Sequence, residues 1–149
     1  MDADTRDGQR QNAEAALKSL LPILQDEVRQ AAVLMLAAKP EAYDTLRNTL
    51  RKMEEIGKSL LRREIDEEAA DTAISNYALS LWLMVGAETN REKVKDFLRG
   101  LKRFNNVKRL FIAIVRIGAA IAAPYVGVWL SALQLDQVLD SIIPSPPQP

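Results

Sequence analysis

The stretch that decides the reading is Leu110–Leu133, LFIAIVRIGAAIAAPYVGVWLSAL, 24 residues with Arg116 as the single charge. As one helix it would extend about 36 Å at about 1.5 Å per residue, enough to cross a hydrocarbon core of about 30 Å. Its strongly apolar side chains, from Leu110 and Phe111 to Leu130 and Leu133, contribute about −3 to −7 kcal/mol of insertion free energy on residue scales. An arginine at mid-bilayer takes back about 2.5 to 3.5 kcal/mol. Arg116 lies one to two turns from the start of the run, so its guanidinium can reach the nearer interface. Pro124, Gly118 and Gly127 reduce the gain, and insertion comes out marginally favourable.

The flanks point the same way. The chain is neutral in total, with 20 basic and 20 acidic residues. The charge is unevenly placed: net −5 over residues 1–90, +7 over 91–116 and −2 from 117 to the end. Arg99, Lys102, Arg103, Lys108 and Arg109 form a basic collar ahead of the run, while only Asp136 and Asp140 follow it. That bias predicts an inner or cytoplasmic membrane location with the N-terminal part cytoplasmic. Tyr125 and Trp129 lie toward the far end, where interfacial aromatics collect. Gly118, Ala119, Ala122, Ala123 and Gly127 recur at four-residue steps along one surface, a spacing that lets helices approach closely.

A second reading uses the same residues. A central helix of a soluble bundle is also apolar all round. Arg116 would then pair with a carboxylate, and the acidic stripe Glu64, Glu67, Glu68 and Asp71 is the natural partner. The bland account of that stripe is a solvated helix start facing the basic collar. A divalent-cation site there lacks the oxygen cage such an ion needs.

The rest of the chain reads as helices. Leu17, Leu20, Leu21, Leu24, Val28, Ala31 and Met35 make one helical face, with a kink or a late start expected at Pro22. Lys39-Pro40 ends that helix, and Pro40 opens the next element. The second helix has a narrow seam of Leu46, Leu50, Met53 and Leu60, suited to a neighbouring helix or a second copy. A third helix is expected from about Ile65 to Gly86, closing with Tyr77, Leu81 and Trp82. Thr89-Asn90-Arg91-Glu92 matches a capping box, so a fourth helix starts near Asn90, with a break expected at Asn105-Asn106. Asn106-Val107-Lys108-Arg109, followed by Gly118-Ala119-Ala120, resembles at its first and last residues the Asn-Trp-Gly-Arg motif of Bcl-2-like helical bundles. The Trp and Gly are absent here, and the chain is not assigned to that family.

The predicted fold is all-α: a five- or six-helix bundle with a long apolar C-terminal helix kinked near Pro124. Its parts are a flexible N-terminus over 1–9, a helical bundle over 10–104, an apolar helical segment over 105–143 and a Pro-rich tail over 144–149. The chain has no Cys and no His. Disulfides, Cys/His zinc sites, thiol nucleophiles and histidine bases are thereby excluded. No phosphate loop or dinucleotide fingerprint is present, no cofactor is implied, and an enzyme is not expected. The leading expectation is a non-enzymatic membrane-associated protein that binds a partner or self-assembles. Pore formation would extend it, by class analogy with holin-like lysis proteins. The alternative is a soluble helical-bundle binding or assembly module with 110–133 as its central helix. The expected partner is a protein or a second copy, with anionic lipid at the collar; nucleic acid is disfavoured.

Overall fold

The computed structural model describes residues 2–120 and 133–142. Every regular element among them is helical: α1 (Asp2–Ala38), α2 (Tyr43–Leu61), α3 (Glu67–Val85), α4 (Arg91–Ala120) and the short α5 (Leu135–Val138). Single 3-10 turns at Pro40–Ala42 and Leu139–Ser141 complete the set.

The boundaries follow from local chemistry. Lys39 leaves the helical region at φ −141°, and Pro40 opens the turn that leads into α2. α2 ends with Arg63 in the left-handed region at φ 60°. There Glu64 N–H donates to Ser59 O and Arg63 N–H to Leu60 O, satisfying two carbonyls left open at the helix end. Asp66 caps α3 by accepting from Ala69 N–H at 2.7 Å. At α4 the capping side chain is Asn90, which accepts from Glu92 N–H at 3.0 Å, so the cap lies one residue beyond the Thr89 of the sequence motif.

The late helix start at Pro22 and the break at Asn105-Asn106 are both absent. α1 runs through Pro22 and begins at Asp2, well ahead of the predicted start. Pro22 and Lys18, whose carbonyl the proline cannot bond, are both exposed residues, while Leu17 and Leu24 are buried. α4 likewise continues across Asn105-Asn106, both exposed. Its buried series Phe97, Leu101, Phe104, Val107, Phe111 and Ile114 keeps helical spacing through that point, and packing overrides the weak local preference.

α4 is the central helix, in contact with α1, α2 and α3. It runs antiparallel to α1, since Arg103 meets Glu27 while Gly100 meets Ala31 and Met35. It is also antiparallel to α3, with Arg116 at Glu67 and Lys108 at Asp71. Leu24, Met35, Leu46, Leu50, Met53, Ile74, Leu81, Phe97 and Phe111 are fully buried in one core.

No helix among the described residues is long and apolar enough to cross a membrane. This overturns the expected span over Leu110–Leu133, and with it the inner-membrane placement and the pore. The first part of the run is the end of α4, where Phe111, Ile114 and Val115 are buried by the other helices. A Cβ at Gly57 would touch the Phe111 ring and Val115, and Glu54, one turn earlier, accepts from Leu135 N–H at 2.8 Å. Both described flanks of the run therefore meet the same turn of α2. A straight span would hold its ends about 36 Å apart. The helix at the centre is α4, residues 91–120, which buries one apolar face from Phe97 to Val115 and keeps its charged residues on the other sides. The kink near Pro124 and the tail over 144–149 lie outside the described residues.

Candidate functional site

Three surfaces hold the side chains capable of function. The first is a groove of about 520 Å³ between α3 and α4, floored by Ile112 and Ala113 and rimmed by Glu67, Glu68, Asp71, Lys108, Arg109 and Arg116. Arg116 Nε and Nη2 each donate to Glu67 at 2.8 Å, and Lys108 Nζ lies 2.7 Å from Asp71. The guanidinium bonded to Glu67 is the main cause that holds its carboxyl below the ordinary range. Acids at the start of α3 thus face bases on α4, and their charges are largely spent on each other. Among the described residues no group of three or more His, Cys, Asp or Glu is arranged to hold a metal.

The remaining collar residues are spread over other faces. Arg103 reaches Glu27 of α1 at 3.5 Å, and Arg99 pairs with Asp96 at 3.8 Å one turn away. Lys102 and Arg109 are exposed. The helical period of α4 sends the five bases toward α1, toward α3 and into solvent, so they do not make one basic surface.

The second surface is a groove of about 440 Å³ between α2 and α3, lined by Thr45, Asn48, Thr49, Arg51, Lys52, Glu55, Tyr77 and Ser80. Lys52 Nζ lies 5.8 Å from the Tyr77 ring centre and 3.1 Å from Glu55. Its bond to Glu55 raises the pKa of the ammonium above the usual lysine value. Nearby, the C-terminal segment is clasped to α2. Asp136 lies 3.1 Å from Arg51 Nε and 3.9 Å from Arg47 Nε, and Tyr43 donates to Asp140 at 3.0 Å. Glu54 is half-buried under α5. Burial pushes its pKa up, the Leu135 N–H opposes that, and neighbouring Asp136 adds to the rise.

The third surface is the outer face of α3. Ile74, Ala78 and Leu81 point into the core and are buried. On other sides of the same helix Leu79, Trp82 and Leu83 are 52%, 50% and 69% exposed, and Tyr77 is 43% exposed at the α2 groove. Leu98 of α4 is also exposed. Isolated surface leucines are ordinary, whereas a tryptophan and two leucines within five residues make a patch.

The seam residues Leu46, Leu50 and Met53 are buried in the chain's own core, and Leu60 is half-buried at its edge. Their neighbours are helices of the same chain, so this seam offers nothing to a second copy. Of the small-residue stripe, Gly118 is buried and Ala119 exposed, while Ala122, Ala123 and Gly127 lie outside the described residues. The close helix approach occurs elsewhere, at Gly100 against Ala31 and Met35. The sequence reading groups Tyr77 and Trp82 with Leu81, but the structure buries Leu81 and leaves the two aromatics exposed, and Leu79 and Leu83 are not singled out by that reading. A signal for the α3 patch was present: from Thr72 to Ala87 the chain has no charged residue. No family model, curated protein or solved structure significantly matches the chain.

Proposed function

We propose that this chain is a non-enzymatic helical-bundle binding or assembly module, and that its working surface is the outer face of α3, engaged by a protein partner. The observation that carries this reading is the exposure of Leu79, Trp82 and Leu83 on a helix whose core face is already occupied by Ile74, Ala78 and Leu81. Folding has no use for large apolar groups there. Each forgoes part of the roughly 1.5–3 kcal/mol that burying such a side chain supplies, and a docked protein would recover it. Tryptophan at the middle of a patch is also the residue type that most often dominates interface energetics. The absence of Cys and His supports a non-catalytic role. So does the mutual engagement of the α3 acids with Lys108 and Arg116.

The test is a photoreactive amino acid placed at position 79 in cells, with exposed position 68 on the same helix as the control. The expected result is a protein adduct at 79 that is missing at 68 and lost in Leu83→Glu. Equal labelling at both positions, or no protein adduct at 79, would overturn the reading.

A further inference from the structure

Beyond α4 the structure describes residues 133–142, which pack on α1 and α2. The segment runs antiparallel to α2: Leu135 meets Glu54, Asp136 meets Arg51 and Arg47, and Asp140 meets Tyr43. Gln25 of α1 donates to Leu133 O at 3.3 Å and anchors the near end. Past that anchor, Leu135, Val138 and Leu139 are buried. α5 and the 3-10 turn that follows it are each a single turn, too short to persist without the surface beneath them. The segment's shape is therefore borrowed from α1 and α2.

Three features of the docked state work against it. Gln134, at the head of α5, stands at φ 44° and ψ 52°. That left-handed conformation handicaps a residue with a β-carbon by roughly five- to thirtyfold. Glu54 is half-buried beneath α5 with Asp136 as a like-charged neighbour, so docking takes water from a carboxylate and adds repulsion. Asp136, finally, does not serve both guanidiniums. It lies 3.1 Å from Arg51 Nε but 3.9 Å from Arg47 Nε, which is buried with no hydrogen-bond partner. Glycine at 134 and an uncharged residue at 54 would remove two of these costs. Backbone strain and unsatisfied buried groups concentrate where a protein changes state. Here all three fall on one short segment and the side chains that receive it. The four long helices hold one another without it, since α4 contacts α1, α2 and α3, and α2 contacts α3.

We propose that residues 134–142 form a releasable strap, which swings off α1 and α2 as one unit about Gln134 while the four long helices stay folded. Release relaxes Gln134 and returns the Glu54 carboxylate and Arg47 Nε to water. It uncovers an α2 stripe of Tyr43, Arg47 and Arg51, beside the apolar floor on which Leu135, Val138 and Leu139 sit. The device is independent of the α3 reading.

The test is amide hydrogen exchange on the full chain, followed residue by residue by nuclear magnetic resonance. Leu135 N–H is bonded to Glu54, Gln137 N–H to Gln134 O and Ile142 N–H to Leu139 O, so each reports the docked state. The three are expected to share one opening constant, at least about a hundredfold larger than those of the buried stretches of α2 and α4. Gln134→Gly should lower that constant about fivefold, the left-handed handicap less the freedom glycine regains in the released chain. Gln134→Ala keeps the β-carbon and should not lower it. Gln134 is exposed, so neither variant disturbs the core. Protection of the three amides equal to that of α2 and α4 would mean that the segment leaves only on global unfolding, and would overturn the proposal. So would opening constants that rise steadily from Leu135 to Ile142, the mark of a fraying end, or equal effects of glycine and alanine at 134.

Discussion

At Gly100 α4 lies close against α1, and replacing it with alanine tests the packing directly. A Cβ there would run into Met35 Cγ and lie 2.9 Å from Ala31 O and 3.1 Å from Met35 N. Two of these three neighbours are backbone atoms of α1, so no rotamer change can relieve them and one helix must move against the other. Overpacking of a close-packed interior costs about 1–3 kcal/mol, and a rigid neighbour places this site in the upper part of that range. Alanine returns about 1 kcal/mol of helix propensity. The net expectation is a loss of about 1–2 kcal/mol, or a fall in Tm of roughly 2–8 °C for a chain of this length. Urea unfolding followed by far-ultraviolet circular dichroism measures it, with two glycines as internal standards. Gly8 has nothing within 4 Å of a built Cβ, so Gly8→Ala should gain up to about 1 kcal/mol. Gly57→Ala meets the Phe111 ring at 2.7 Å and Val115 at 3.5 Å, side chains that can give, and should fall between the two. If Gly100→Ala were as stable as the parent while Gly8→Ala gained, the α1–α4 contact described above would be wrong.

Two further outcomes follow from local conformation and from titration. Arg63 holds φ 60° at the end of α2, where a side chain costs about 1–2 kcal/mol and glycine costs little. Arg63→Gly should therefore raise stability by about 1 kcal/mol in thermal unfolding, whereas Arg63→Ala should not; equal effects of the two would refute the assignment. Glu54, its folded pKa raised chiefly by burial, contributes stability that is full below the unfolded carboxylate pKa and is lost as pH rises through the folded value. Glu67 and Glu88, depressed chiefly by bonds from Arg116 and from Asn90 N–H, act oppositely: their contribution is present above the unfolded pKa and lost as pH falls through the folded one. Glu54→Gln keeps an acceptor for Leu135 N–H and removes only the titration. Its stability should fall more steeply toward acid than the parent's; a curve of unchanged shape, followed by chemical denaturation across pH, would count against the buried position of Glu54.

Much of the architecture was legible in the residues. Helical periodicity placed Leu17, Leu24, Val28, Ala31 and Met35 on one face of α1, and all five are buried. Lys39-Pro40 marked the end of α1, and the acidic start of α3 and the cap near Asn90 marked two more boundaries. These signals are local: a proline ring, a capping side chain and a three-to-four rhythm act within a turn or two of the chain. The continuity of α1 through Pro22 and of α4 through Asn105-Asn106 was not legible, because there the local preference for a break is outweighed by burial against helices far along the chain.

Sequence alone determined that the chain is helical, that it lacks Cys and His, and that its charge divides into an acidic body, a basic stretch and an apolar end. It left open what the apolar run would pack against, since a helix apolar on every side reads the same among lipids and among other helices. Tertiary structure decided that question for the described residues. It set Phe111 against Gly57, Leu135 beside Glu54, and Arg116 on Glu67. It also showed that the seam of α2 is consumed inside the molecule while the charge-free face of α3 is not. Burial is a property of pairs of elements, and hydropathy along one chain records the need for a partner without recording which surface meets it.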